Sequence, residues 1–158
     1  MPLLTLTSDI GTQDYLVGAA KAQLLQINSG FNVVDISHNI PPFNYSQAAY
    51  VCRNTIINFP DYTYHIVLVN LFEKKPGQLL LAFHNNQYII CADNGLLYMI
   101  FDEKPELVIG IPFTGNEEKN TLYFVRQAGL IINKLVNGES IKNIGIENPV
   151  YMEKYALK

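Results

Sequence analysis

Short apolar runs alternate along the chain with stretches whose apolar residues recur every three or four positions. Leu3–Thr7 is compact and rich in β-formers, and predicts a first strand. After a turn at Ser8-Asp9-Ile10-Gly11-Thr12, Leu16, Ala20, Leu24 and Ile27 fall on one helical face, so a helix is expected over Tyr15–Ile27, stopped by Asn28-Ser29-Gly30. Asn32–Ile36 predicts a second strand, parallel to the first through a right-handed crossover. Pro41-Pro42 breaks the chain. Asn44, with Gln47 three residues on, has the form of a capping box opening a helix that runs to Asn58 and is ended by Pro60. Thr63–Val69 contains Ile66-Val67-Leu68-Val69, the unbroken apolar run of a strand covered on both faces.

In the second half, Leu79–Phe83 and Tyr88–Cys91 flank His84-Asn85-Asn86-Gln87 and predict a hairpin, because Asn tolerates the positive φ of a tight turn. Asp93-Asn94-Gly95 reads as a turn and Leu107–Ile111 as a strand. Thr121–Val136 predicts the last long helix, with Leu122, Val125, Ile132 and Leu135 on one side and Asn137-Gly138 closing it. Beyond Glu139 the pattern is weak. Strands alternating with helices predict a single α/β domain over residues 1–158, a three-layer sandwich with a mostly parallel central sheet plus the hairpin. Ligands of such sheets sit at the carboxyl ends of the strands, which singles out the loops Ser8–Thr12, His38–Asn44 and Asn70–Gly77.

Composition narrows the function classes. Hydrophobic residues make up 49% of the 158 and charged residues 16%, enough for a real core. The formal net charge of -3 and the scattered Lys and Arg argue against a nucleic-acid partner, which needs clustered cations. Apolar runs such as Leu79–Phe83 are far too short to span a bilayer, and Met1-Pro2-Leu3-Leu4 lacks the basic flank of a secretory signal. A cytoplasmic protein without membrane contact is therefore expected. Cys52 and Cys91 lie in separate apolar elements and read as free, buried thiols. His65 and His84 lack a second ligand at metal-binding spacing, so no metal is expected. Ser8 and Ser37 show no His/Asp partner in a nucleophile-elbow setting and read as turn residues, and His38 is expected to fix its loop by bonding a backbone carbonyl.

Asp9, just past the first strand and followed by Gly11, is the first residue that could carry chemistry. Its two carboxylate oxygens match a vicinal diol such as that of ribose, although a cap on the following turn or helix fits the spacing equally well. Thr5-Leu6-Thr7-Ser8-Asp9-Ile10-Gly11-Thr12 resembles the opening T-L-T-T/S-D-F/L-G-T of the S-adenosylmethionine hydroxide adenosyltransferases and the related fluorinases and chlorinases. Three further stretches are similar to motifs of that family and occur in the same order. Val34-Asp35-Ile36-Ser37-His38-Asn39-Ile40-Pro41-Pro42 resembles V-D-I-S/T-H-x-I-P-P, Asn58-Phe59-Pro60-Asp61-Tyr62-Thr63-Tyr64-His65 resembles F-P-E-G-T-V-H, and Ala92-Asp93-Asn94-Gly95-Leu96-Leu97 resembles A-P-D-N-G-V/L-L.

The resemblance implies an N-terminal α/β domain paired with a C-terminal β-barrel-like domain, the latter expected to be absent from this chain. It implies a homotrimer with pockets between subunits, and S-adenosylmethionine as substrate or ligand rather than a separate cofactor. Hydroxide or halide would displace methionine from the ribose C5′. Asp9 would hold the ribose diol, with Ser8 and Thr12 in the same loop and Phe43 beside the ligand. The family's V-D-P-G-V-G-S/T-x-R-R stretch is here Val69-Asn70-Leu71-Phe72-Glu73-Lys74-Lys75-Pro76-Gly77-Gln78, so its aspartate falls on Asn70 and its arginine near Gly77 or Gln78. The histidine of T-F-H-G-R-D falls on Tyr123, and a small hydroxylated position of the halogenases falls on Phe124. Asn70 cannot take a proton, and a tyrosine with a pKa near 10 is a poor base at neutral pH. Glu73 with Lys74 or Lys75 could rebuild a base and its cation, or form only a solvated loop tip. The expectation is an S-adenosylmethionine hydrolase-like domain, impaired or inactive as an isolated chain; the alternative is a non-catalytic S-adenosylmethionine- or adenosine-binding or trimer-assembly domain.

Overall fold

The computed structural model describes residues 2–69, 71, 77–101, 103–113, 115 and 119–151. Strand β1 (Leu3–Ser8), helix α1 (Leu16–Ile27) and strand β2 (Asn32–Ser37) form the expected parallel unit. Helix α2 (Tyr45–Asn58) leads into β3 (Tyr64–Leu68), which pairs parallel to β1. Then follow β4 (Gln78–His84), β5 (Gln87–Ala92), a short helix α3 (Leu96–Ile100), β6 (Leu107–Pro112), α4 (Thr121–Val136) and β7 (Ile146–Glu147).

Among the described residues the sheet has seven strands in the order β2-β1-β3-β5-β4-β6-β7. β5 joins β3 in parallel, while β4 runs antiparallel between β5 and β6. The sheet is thus parallel in its first half and mixed in its second, where the hairpin is built into the sheet itself. Asn85 and Asn86, with φ of 50° and 62°, make the two-residue turn, whose preferred form needs positive φ at both places.

Side-chain alternation divides the core. Ile66 and Leu68 of β3 face a cluster with Leu24 of α1 and Phe124 and Ile132 of α4. Val67 and the adjoining Val69 face the opposite cluster, with Ala48 and Cys52 of α2 and Leu97 of α3. Among the described residues two helices thus cover each face, the three-layer sandwich expected from the sequence. At the α1–α4 crossing a Cβ on Gly129 would lie 2.7 Å from Ile27 Cδ1, so the glycine allows the close approach.

Two elements escape the sequence pattern. Helix α3 is one short apolar turn entered through Gly95 at φ 93°, too brief to show a period. The weakly patterned tail closes the sheet edge: β7 pairs with β6, and the Asn148 amide donates to Val108 O at 3.0 Å. A Cβ on Gly145 would strike the Gly110 carbonyl oxygen, so the tail crosses β6 backbone to backbone.

Candidate functional site

The carboxyl ends of β1, β2, β3 and β5 open onto one edge, because all four run parallel. Backbone bonds knit the loops there. The Gly11 amide donates to His38 O at 2.7 Å, Ile40 N to Ser8 O at 3.3 Å, and Asp9 N to Leu68 O at 3.4 Å. Gly11 has φ 77°, the left-handed conformation that favours glycine. Half-buried Asp9 is therefore held at the junction of β1, β3 and the loop after β2, with Thr12 exposed beyond it.

Phe43 stands at the same edge, 63% exposed and at φ 63°. A bulky residue in this region is strained, and such strain persists only where neighbours over-determine it. Pro41 supplies one restraint through Asn44 N donating to its carbonyl at 3.2 Å. The start of α2 supplies the other, with Gln47 N donating to Asn44 Oδ1 at 2.9 Å as the cap predicts.

Beneath this edge the structure corrects the expectations for Ser8 and His38. Ser8 Oγ lies 2.5 Å from His38 Nδ1, and His38 Nε2 lies 2.8 Å from Asp35 Oδ1. Lys21 Nζ donates to Asp35 Oδ2 at 2.7 Å. Ser8 does have a His/Asp partnership, although at a buried strand end rather than on an elbow, and His38 bonds side chains. The pairing escapes sequence reading because Ser8 and His38 are 30 positions apart; Asp35 and His38, three apart in one motif, were the available sign. Partial burial raises the Asp35 pKa, but the hydrogen bonds from Lys21 and His38 and the adjacent Lys21 charge outweigh it and hold the carboxyl below its usual value. Ser37 is the expected turn residue, accepting from Asn39 N at 3.3 Å.

The aligned triad positions are divided. Asn70 and the Glu73, Lys74 and Lys75 alternatives lie outside the described residues. Gln78, near the family's arginine, donates through Nε2 to Asp93 Oδ2 and to Val150 O, each at 3.0 Å, and so ties the end of β5 to the tail. Tyr123 lies in the first turn of α4, its amide donating to Asn120 Oδ1 at 2.9 Å. Its half-buried ring is 5.9 Å from Phe113 and 6.2 Å from Phe124 between centroids, with Lys119 Nζ 5.0 Å away. Phe124 is buried in the core, out of reach as a halide ligand. Asn94, part of the Asp93-Asn94-Gly95 turn and of a family motif, ties two strand ends together. Its amide donates to Val69 O at 3.0 Å and its Oδ1 accepts from Leu96 N at 3.1 Å, locking the end of β5 to that of β3.

A second polar network, centred on His65, is interior. Thr5 Oγ1 meets His65 Nδ1 at 2.8 Å, His65 Nε2 meets Gln87 Oε1 at 2.5 Å, and Gln87 donates on to Ile56 O and Phe59 O. Burial lowers the His65 pKa, only partly offset by the Gln87 bond, so the ring is held neutral. Cys52 is pushed up to about 12 by burial, and burial raises Cys91 as well. Among the described residues no three His, Cys, Asp or Glu side chains gather to hold a metal, and no helix is long and apolar enough to cross a membrane.

A doubly covered α/β sheet with a carboxylate and an exposed aromatic on its strand-end loops has the form of a small-molecule-binding domain. Residues 4–145 match the SAM hydroxide adenosyltransferase N-terminal domain family, and the chain belongs to that family. It is 28% identical over 151 residues to an (R)-S-adenosyl-L-methionine hydrolase of Methanocaldococcus jannaschii, covering 89% of this chain and 57% of that protein. A protein of the same name from Salinispora arenicola is 26% identical over 96 residues, covering 61% of this chain and 36% of its own length. The chain therefore spans little more than half of the first relative and about a third of the second. Among solved structures it resembles an uncharacterized conserved protein from Thermotoga maritima, with TM-score 0.77 and 25% identity over 94% of this chain and 60% of that one. The fold is shared with a conserved hypothetical protein from Thermus thermophilus, with TM-score 0.72 and 23% identity over 94% of this chain and 59% of the other.

Proposed function

We propose that this domain grips the nucleoside part of S-adenosylmethionine and belongs to a protein that acts as an S-adenosylmethionine hydrolase. The observation that carries the reading is the Asp9 turn, tied by backbone bonds to His38 and Leu68 at the carboxyl edge of the sheet. Asp9 accepts hydrogen bonds from both ribose hydroxyls, Ser8 and Thr12 shape the loop, and Phe43 offers an apolar face to the ligand. In the reaction, water oxygen bonds to the ribose C5′ as the C5′–sulfonium bond breaks; the bonding pair returns to sulfur, and methionine, adenosine and one proton result.

Deprotonation of the water is where this chain is weak. A positioned base contributes about 10²–10⁴-fold. Asn70 is neutral, and the ring of Tyr123 is packed among Phe113, Phe124 and Lys119. The isolated chain is accordingly slow or inactive while still binding ligand. A homotrimer whose pocket is completed by further structure belongs to the same reading, because a one-walled cleft buries less ligand. A cytoplasmic setting suits the two free, buried thiols. The packed Tyr123 ring also favours a second reading, a non-catalytic S-adenosylmethionine or adenosine sensor.

Titration calorimetry with S-adenosylmethionine and adenosine, followed by chromatography of the mixture, tests the proposal. Binding is expected to weaken about tenfold or more in Asp9→Ala, the scale of losing a charge-assisted pair of hydrogen bonds. Affinity unchanged in that variant would sink the ribose assignment. Turnover by this chain alone as fast as that of a hydrolase carrying the family's aspartate and histidine would sink the claim that it is impaired.

A further inference from the structure

We propose that Ser8, His38 and Asp35 form a directional hydrogen-bond relay that positions the Asp9 carboxylate for its ligand, a ribose-type vicinal diol. The inference rests on the Asp9 reading above and assigns these three as positioning residues, not catalytic ones.

The direction of the relay follows from donor and acceptor chemistry. Lys21 donates to Asp35 Oδ2 at 2.7 Å, so the carboxyl is ionised and can only accept. His38 Nε2, 2.8 Å from Asp35 Oδ1, must then carry the ring proton. The relay assigns Nδ1 as the acceptor of the Ser8 hydroxyl 2.5 Å away. With its proton committed, Ser8 Oγ turns lone pairs toward the Ile10 amide, 3.4 Å away. The donors therefore run in one sense from the Ile10 amide through Ser8 and His38 to Asp35, which accepts from Lys21 on its other oxygen.

Burial makes the relay selective. Ser8 is 0% and His38 5% exposed, so water cannot replace a lost link. Asp9 lies between the two backbone groups the relay orients, Ser8 and Ile10. The same loops are cross-tied by Gly11 N to His38 O and Ile40 N to Ser8 O. Ser8 Oγ itself is closed off from the ligand edge, which excludes it as a nucleophile. Its effect on binding must pass through the geometry of its neighbour.

A double-mutant cycle on this chain reads that coupling, with adenosine as the probe. Ser8→Ala and His38→Leu are each expected to weaken adenosine about fivefold, the effect of one hydrogen bond. In the Asp9→Ala background, Ser8→Ala should cost nothing further. His38→Gln should recover affinity relative to His38→Leu, because Gln can accept from Ser8 and donate to Asp35 at once. If Ser8→Ala weakens binding equally with and without Asp9, or if His38→Gln behaves as His38→Leu, the relay is overturned while the ribose assignment stands. If Asp9→Ala itself leaves affinity unchanged, the ribose assignment falls, and the positioning role falls with it. Nitrogen-15 NMR of the unmutated chain supplies an arm independent of ligand. A proton on His38 Nε2, together with faster amide exchange at Ile10 in Ser8→Ala, supports the relay; a proton on Nδ1 overturns it.

Discussion

A single carboxylate has little meaning until the backbone aims it, and Asp9 is aimed by contacts made by its neighbours. The sequence marked Asp9 and Gly11 by their place, a charge and a turn-former at a strand end, while Phe43 was marked by the family resemblance alone. It could not mark the partnership of Ser8 with His38, which depends on two parallel strands lying side by side. Cys52 and Cys91 illustrate the converse. Their apolar flanks predicted buried free thiols, and they are 4% and 2% exposed. With burial holding both thiols protonated, neither should react with a maleimide in the folded protein, and both should react in denaturant. Fast labelling of either in the native state would contradict the packing around α2 and β5.

At the scale of elements, caps and close approaches do most to place the site. Asn120 accepts the Tyr123 amide and so fixes the turn carrying that ring. Asn120→Ala should cost about 1 kcal/mol of stability, read by denaturant unfolding with an unchanged slope. Gly129→Ala should cost less than that, because its methyl would meet only the movable ends of Ile27, with Cδ1 at 2.7 Å, and Leu24, with Cδ2 at 2.9 Å, while alanine regains about 1 kcal/mol of helix propensity. A loss well above about 3 kcal/mol would mean that those two side chains cannot turn aside in the α1–α4 seam. The long helices and the strands of the first half were legible because each carries a full period of apolar residues, with breakers at both ends. The placement of β4 between β5 and β6 was not, because hairpin sequence fixes a partner but not the strand on its other side. Nor was β7 legible: its two residues are held by Asn148 and by the glycines at 110 and 145, not by any pattern of their own.

For the molecule as a whole, the buried polar network makes stability depend on pH. His65 is 3% exposed and hydrogen-bonded to Thr5 and Gln87 as a neutral ring. Its folded-state pKa is lowered, chiefly by burial. Below about 6.5, the ordinary histidine value, the unfolded chain takes up a proton at this position that the folded chain still refuses. The unfolded state then binds more protons, so stability rises with pH and falls on acidification. The lowered pKa of Asp35 acts in the same sense at lower pH: its contribution is present above about 3.9 and lost as pH falls through the folded value. Melting temperature should therefore decline from pH 7 to pH 5 before most carboxylates titrate. His65→Gln, which cannot titrate, should be less stable at pH 7 but show a flatter dependence across that window. Equal slopes for the two proteins would mean that His65 takes up its proton without leaving the fold. The interior between β1, β3 and β5 would then be wetter than its packing implies.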